Sequence, residues 1–329
     1  MLLIRSLVFI FTILITACSA PVKQYHDQII VSSINHKFID ELFDSGKEPN
    51  LDIPVWVSYP DKEKFPPPYP AIMLLHSSWG LSSQESFYAK EFNDIGLAVY
   101  AIDSFTPRRV SRTSLDQSLV SSAAMIQDAY QVLDYLQTDP IINRDKVAVM
   151  GFSKGGIVAF YSAFNSVNQA ANQRKQSFAA HIAYYPWCGM RLHDMSTTGA
   201  PILIQGGDKD VVTPVKICEQ LIDEEITATD KKTITVKHHP TARHAFDHPT
   251  LAKVPIVLSL NAQVPALCDI RQTADGNFVE MYSNKKVSGN NIKSVLEVCS
   301  TFNGSAGSNR QATNDALEIT KQFIAEHLL

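Results

Sequence analysis

The chain has no surplus of positive charge. Its 29 Lys and Arg stand against 33 Asp and Glu, for a net charge of −4 over 329 residues. A polyanion-binding surface needs a basic excess, so nucleic acid is excluded as the expected partner. Long apolar runs are lacking too: the most hydrophobic stretch, Leu7 to Leu14, is too short for a comfortable membrane-crossing helix. No internal repeat is visible. Cysteine is sparse, with one residue at Cys18 and four at Cys188, Cys218, Cys268 and Cys299, so at most two intrachain bridges join the last four, in one of three pairings. A metal cluster is not expected either. His238, His239, His244 and His248 fall close together, but residues 238 and 239 lie on a strand and face opposite sides of it. What is abundant is apolar residue, 45% of the chain, enough to bury one large α/β domain or two ordinary ones.

The N-terminus reads as a targeting segment. A short positive region, Met1 to Arg5, precedes the apolar stretch, which ends in Ile15-Thr16-Ala17-Cys18. This ending resembles a bacterial lipobox, which implies removal of residues 1–17 and lipid attached at Cys18. Acyl chains there would anchor the protein without a spanning helix. Ser19 is not an aspartate, which implies the outer membrane, facing the periplasm. The alternative is a plain secretory signal with a chance cysteine. Residues 18–27 are polar and read as a tether. Export to an oxidising compartment permits disulfides among the other four cysteines; buried free thiols are the alternative.

From residue 28 the chain reads as one α/β domain. Gln28–Ile34 and Ile53–Pro60 are early strands. Ala71–His76, Leu97–Asp103, Lys146–Met150, Ala179–Pro186, Pro201–Gly206 and Thr233–His239 are short apolar runs of the kind buried in a parallel sheet. Between them fall helices: one opened by the capping box Ser82-x-x-Glu85, one marked by Leu119, Ala123, Ile126, Tyr130 and Leu133, and others at 157–164 and Pro214–Glu225. Ala312–Leu329 closes the chain as a helix. The alternation predicts a mainly parallel, doubly wound sheet with helices on both faces. Residues 249–311, rich in Gly, Asn and Ser, break the rhythm and read as an insertion with little core of its own. A Cys268–Cys299 bridge would close a loop of 30 residues there and contribute roughly 3–4 kcal/mol.

The chain is organised around Lys146–Gly156. A buried strand runs into Gly151-Phe152-Ser153-Lys154-Gly155 and then a helix. So sharp a turn needs nearly side-chain-free neighbours, and Gly151 and Gly155 supply them. It lifts the Ser153 hydroxyl to a helix N-terminus, where negative charge is favoured. Ligands of an open parallel sheet bind at the carboxyl ends of its strands. There lie Asp208-Lys209-Asp210 after one strand and Arg243-His244-Ala245-Phe246-Asp247 after the last. The chain order is serine, acid, histidine. A serine hydroxyl needs a base to take its proton, histidine accepts and returns protons near neutral pH, and an acid fixes the imidazole.

These residues, with His76-Ser77-Ser78-Trp79-Gly80, Asp103-Ser104-Phe105, Tyr185-Pro186-Trp187-Cys188 and the Asp210–Pro214 segment, resemble the dienelactone hydrolase family of α/β-hydrolases. The resemblance covers most of 50–250 and the last helix. It implies Ser153 as nucleophile, His244 as base and Asp210 as acid, four residues before Pro214, with Asp208 the runner-up. It implies an oxyanion hole from the amides of Lys154 and Ser78, a pocket wall at Trp79, and a Cys188–Cys218 bridge at the site rim; a Cys188–Cys299 link is not expected. The hydrolysis it implies requires no cofactor. The chain departs from the pattern in having serine for the usual cysteine nucleophile, and no glutamate in the loop where Ser77 stands and lines the pocket. His248 occupies a position where those enzymes carry an arginine. Arg108 and Arg109 lie where one could meet a substrate carboxylate, a solvated loop being the alternative. The expected activity is hydrolysis of small-molecule esters or lactones through an acyl-enzyme. Acyl transfer or peptide cleavage by the same residues, and a non-catalytic envelope binding protein, are the alternatives.

Overall fold

The computed structural model describes residues 25–43, 49–172, 176–251, 258–260, 262–302 and 304–329. The leader, Cys18 and most of the tether lie outside the described residues. Among those described, no helix is long and apolar enough to cross a membrane.

The strands are β1 (Asp27–Ser33), β2 (Leu51–Ser58), β3 (Tyr69–Leu75), β4 (Ala98–Ile102), β5 (Ile142–Phe152), β6 (Ala180–Tyr184), β7 (Met190–Arg191), β8 (Ile202–Gly207), β9 (Ile234–His239), β10 (Leu258–Leu260), β11 (Ile270–Gln272), β12 (Phe278–Glu280), β13 (Lys285–Val287) and β14 (Gly304–Ala306). The helices are α1 (Ser83–Asn93), α2 (Ser122–Leu136), α3 (Lys154–Tyr161), α4 (Asn165–Ala171), α5 (Val215–Glu225), α6 (Ile292–Cys299) and α7 (Arg310–His327). The central sheet has the order β1-β2-β4-β3-β5-β6-β8-β9. Its pairs from β4 to β9 are parallel, whereas β2 runs antiparallel to both β1 and β4.

The apolar runs behave as two-sided strands do. In β3, Ala71, Met73 and Leu75 pack on one face with α2, α3 and α5, while Ile72 and Leu74 pack on the other with α1 and α7. Ser82 and Glu85 close the expected capping box on α1, Ser82 Oγ accepting from the Gln84 amide at 3.1 Å and Glu85 Oε2 accepting from the Ser82 amide at 2.7 Å. The chain leaves β3 in one direction to form β4 and returns past it to form β5. That reversal opens a crevice beyond the carboxyl ends of β3 and β5. This is the α/β-hydrolase fold.

The region 249–311 is more structured than its composition suggests. Within it β11, β12 and β13 form a small sheet that captures β7 from the body of the domain. Phe278, Val287 and Val295 are buried in the main core. Two buried disulfides are formed, Cys188–Cys218 and Cys268–Cys299.

Candidate active site

β5 ends at Phe152 and α3 begins at Lys154, so Ser153 alone makes the turn, with φ 52° and ψ −107°. Side chains rarely adopt this conformation. It is held from both sides: the Ser153 amide donates to Tyr184 O at 2.9 Å, and its carbonyl accepts from the Ile157 amide at 2.9 Å. The two glycines are obligatory for space. A Cβ at Gly151 would stand 2.1 Å from Gly155 O, and one at Gly155 would stand 2.1 Å from Leu75 O.

The loops after β8 and β9 bring their side chains to this turn. His244 Nε2 lies 2.9 Å from Ser153 Oγ, and its Nδ1 lies 2.8 Å from Asp210 Oδ2. The carboxylate fixes the tautomer, since Nδ1 must carry the proton it donates to Asp210, leaving Nε2 free to accept from the serine. Asp210 Oδ1 accepts from the amides of Val212 at 2.8 Å and Thr213 at 3.0 Å. Burial pulls this carboxyl group upward, but the imidazole charge and these hydrogen bonds outweigh it, and its pKa lies below the ordinary carboxylate value. Asp208, the other acid considered, faces away: its Oδ1 meets His238 Nδ1 at 2.7 Å, at the exposed edge of the sheet.

Two further groups stand behind the imidazole. Tyr185 packs edge-on against it with ring centroids 4.9 Å apart. The Tyr185 hydroxyl donates to Asp247 Oδ1 at 2.7 Å, while Tyr88 Oη and Gln84 Nε2 donate to Asp247 Oδ2 at 2.8 and 3.0 Å. Both Tyr185 and Asp247 stand in sequence segments tied to the family pattern, but only the fold reveals that they meet.

A cavity opens on Ser153 in two lobes. The larger, of about 110 Å³, is lined by Ser78, Lys154, Trp187 and a set of aliphatic residues. The smaller, of about 40 Å³, is lined by Ser77, Ser78, Trp79, Tyr185 and His244. Ser153, Ser78, Gln117, Val212 and Gln263 border both. Gln117 and Gln263, which nothing in the sequence marks, tie the walls together. Gln117 Oε1 accepts from Ser78 Oγ at 3.1 Å and Lys154 Nζ at 3.1 Å, and the Gln117 amide donates to Gln263 Oε1 at 2.8 Å. Lys154 Nζ also donates to the Gln117 carbonyl at 3.0 Å, and burial pushes its ammonium down to about 7.

Arg108 and Arg109 are not part of this cavity, which corrects the sequence reading. The Arg108 guanidinium is buried in a bidentate pair with Asp128, at 2.8 and 3.0 Å, and also donates to Asn35 Oδ1 and Ser104 O, each at 2.8 Å. Four of its five N–H donors are thus engaged inside the fold. Arg109 is exposed at a left-handed turn, φ 56°. His76 is a packed strand-end residue: it is fully buried, its Nε2 accepts from the Ser104 amide at 3.3 Å and its ring meets Phe105 edge-on. The four nearby histidines part company. His238 joins Asp208 and Glu219, His239 joins Gln205, His244 joins Asp210 and Ser153, and His248 packs on Trp79.

A serine held on a strained strand-to-helix turn at the sheet's crossover, with an imidazole and a carboxylate in line behind it, defines a hydrolase of the α/β class. The chain belongs to the dienelactone hydrolase family, whose model matches residues 54–264, and it is a carboxylic ester hydrolase. No curated protein sequence matches the chain. Among solved structures it is similar to a dienelactone hydrolase-like promiscuous phosphotriesterase from metagenomic libraries, with 14% identity over 92% of this chain and 99% of that one and a TM-score of 0.53. It is also similar to esterase 2 of Thermogutta terrifontis phosphoramylated by tabun, with 14% identity over 85% of this chain and 92% of that one and a TM-score of 0.51. At such identities these likenesses show the fold alone.

Proposed function

We propose that Ser153, His244 and Asp210 hydrolyse esters or lactones of small molecules through an acyl-enzyme. The observation that carries this reading is the unbroken line from Ser153 Oγ to His244 Nε2 at 2.9 Å and from Nδ1 to Asp210 at 2.8 Å. Ser153 Oγ attacks the carbonyl carbon as its proton passes to Nε2. The carbonyl oxygen becomes an oxyanion, received by the amides of Lys154, at the first turn of α3, and Ser78, in the loop after β3. Asp210 stabilises the imidazolium formed in this step. The C–O bond to the alcohol then breaks, the leaving oxygen takes the proton from Nε2, and the acyl group stays on Ser153. Water repeats the cycle: it gives a proton to Nε2, adds to the acyl carbon, and releases the acid as Ser153 recovers its proton. No step calls for a cofactor. Labelling by a fluorophosphonate and turnover of p-nitrophenyl acetate test the reading. Both are expected in the wild type and neither in Ser153→Ala; a folded wild type that shows neither overturns it.

The same reading places the enzyme on a lipid anchor at Cys18, in the outer membrane facing the periplasm. The lipobox-like ending at Ala17-Cys18 supports this, as does the suitability of an oxidising compartment for two disulfides. Incorporation of labelled palmitate is expected in the wild type and lost in Cys18→Ser. Equal incorporation, or none in either, removes the anchor.

A further inference from the structure

We propose that the preferred substrates are esters joining an apolar acyl chain of several carbons to a small alcohol. The inference rests on the roles assigned above to Ser153 and His244, and the proton path decides its orientation. The leaving alcohol takes its proton from His244 Nε2, so its oxygen must depart on the imidazole side of Ser153. His244 lines only the smaller lobe, of about 40 Å³, where Trp79 and Tyr185 close in. The alcohol therefore occupies the tighter space.

The acyl group is left with the larger lobe, of about 110 Å³, which His244 does not line. Its lining surface is mostly apolar, with Phe38, Ile126, Ile157, Ile270, Ile292 and Leu296 among the residues that form it, although Ser121, Ser122, Gln117 and Gln263 also reach it. Among the described residues no carboxylate lines it. Lys154, the charged group beside Ser153, spends its ammonium on two acceptors of Gln117. A cavity so furnished rewards methylene groups and offers a second substrate charge nothing but a committed lysine near the serine and the exposed Lys37. Each methylene that moves from water into such a wall is worth about fourfold in kcat/KM when its burial is realised in the transition state. Three of the wall residues, Ile270, Ile292 and Leu296, come from the 249–311 segment, so that segment sets acyl length.

The test holds the leaving group constant and varies the chain. For p-nitrophenyl acetate, butyrate, hexanoate and octanoate, kcat/KM is expected to rise at least tenfold from acetate to hexanoate. Methyl hexanoate should be cleaved faster than cyclohexylmethyl hexanoate. Filling the lobe by Leu296→Trp or, separately, Ile270→Trp should lower the hexanoate-to-acetate ratio at least tenfold. A binding measurement that needs no turnover accompanies these: in Ser153→Ala, Trp187 fluorescence should report tighter binding of methyl hexanoate than of methyl acetate. An active enzyme with a flat or acetate-favouring profile, a preference for the bulky alcohol, or an unchanged ratio in both folded variants overturns the lobe assignment and leaves the triad standing. No turnover of any ester, with chain-dependent binding retained, overturns the triad and keeps the apolar lobe. Loss of both overturns both.

Discussion

Two buried carboxylates stand behind His244, Asp210 in direct contact and Asp247 by way of Tyr185, and their surroundings send them in opposite directions. Asp210 meets two backbone amides and the imidazole, and its pKa falls below the ordinary value despite burial. Asp247 meets two phenols and a carboxamide, and burial wins, raising its pKa in spite of three hydrogen bonds from those groups. Both are well supplied with donors, so the number of hydrogen bonds is not what separates them. The difference is a partner able to carry positive charge. Asp210 is thus suited to balance an imidazolium during turnover. Asp247 is suited to hold Tyr185 against the edge of the ring.

The contrast breaks if the two acids behave alike on substitution. Asp210→Asn should lower kcat by about 10³–10⁴-fold with the fold retained, because the imidazole loses its tautomer and counter-charge; steady-state kinetics and circular dichroism check this. Arg108→Ala should cost about 3–5 kcal/mol in denaturant unfolding, since Asp128 is left buried without its counter-ion. The same variant should leave the kcat/KM ratio between carboxylate-bearing and neutral esters unchanged; a shifted ratio would return Arg108 to the site. Asp247→Asn should cost about 1–3 kcal/mol of stability and less than about tenfold in kcat. A loss of rate matching that of Asp210→Asn would erase the distinction drawn here.

Acid sharpens the same comparison. His181 and His248 are held neutral by burial, each pushed down to about 4, whereas an unfolded histidine titrates near 6.5. Their folded pKa is lower than the unfolded one, so the unfolded state takes up protons first. The stability they confer is complete above about pH 6.5 and drains away as pH falls toward 4. Asp210, also depressed, adds a loss in the same direction at lower pH. Asp247, raised, acts the other way: its contribution is full at low pH and declines as pH rises through its folded value. Urea unfolding at pH 7, 5.5 and 4.5 should show a falling midpoint, and Asp247→Asn should steepen the fall.

Much of the sheet and the triad was legible because the signals are local. β3, β4, β6, β8 and the second half of β5, from Val147, are short apolar runs buried on both faces, and glycines guard the serine turn over five consecutive residues. What escaped depends on distant pairing. Arg108 finds Asp128 20 residues away and Asn35 73 residues away, and Gln117 meets Gln263 across 146. No periodicity announces such meetings. The helix read through 157–164 is in fact α3, Lys154–Tyr161, separated by residues 162–164 from α4, with no glycine or proline to mark the break. Residues 249–311 looked poor in core for a related reason. Strands of three residues are too brief to show alternation, and Phe278 and Val295 join the core of the main body.

The Cys268–Cys299 bridge ties the end of α6 to the loop before β11, the two elements that supply Ile292, Leu296 and Ile270 to the cavity wall. On the lobe assignment proposed above, half of the six named wall residues are carried by this stapled stretch, apart from the triad. If that assignment holds, this panel of the wall can be altered without moving the serine, acid and histidine, because none of the three stands in the cross-linked stretch.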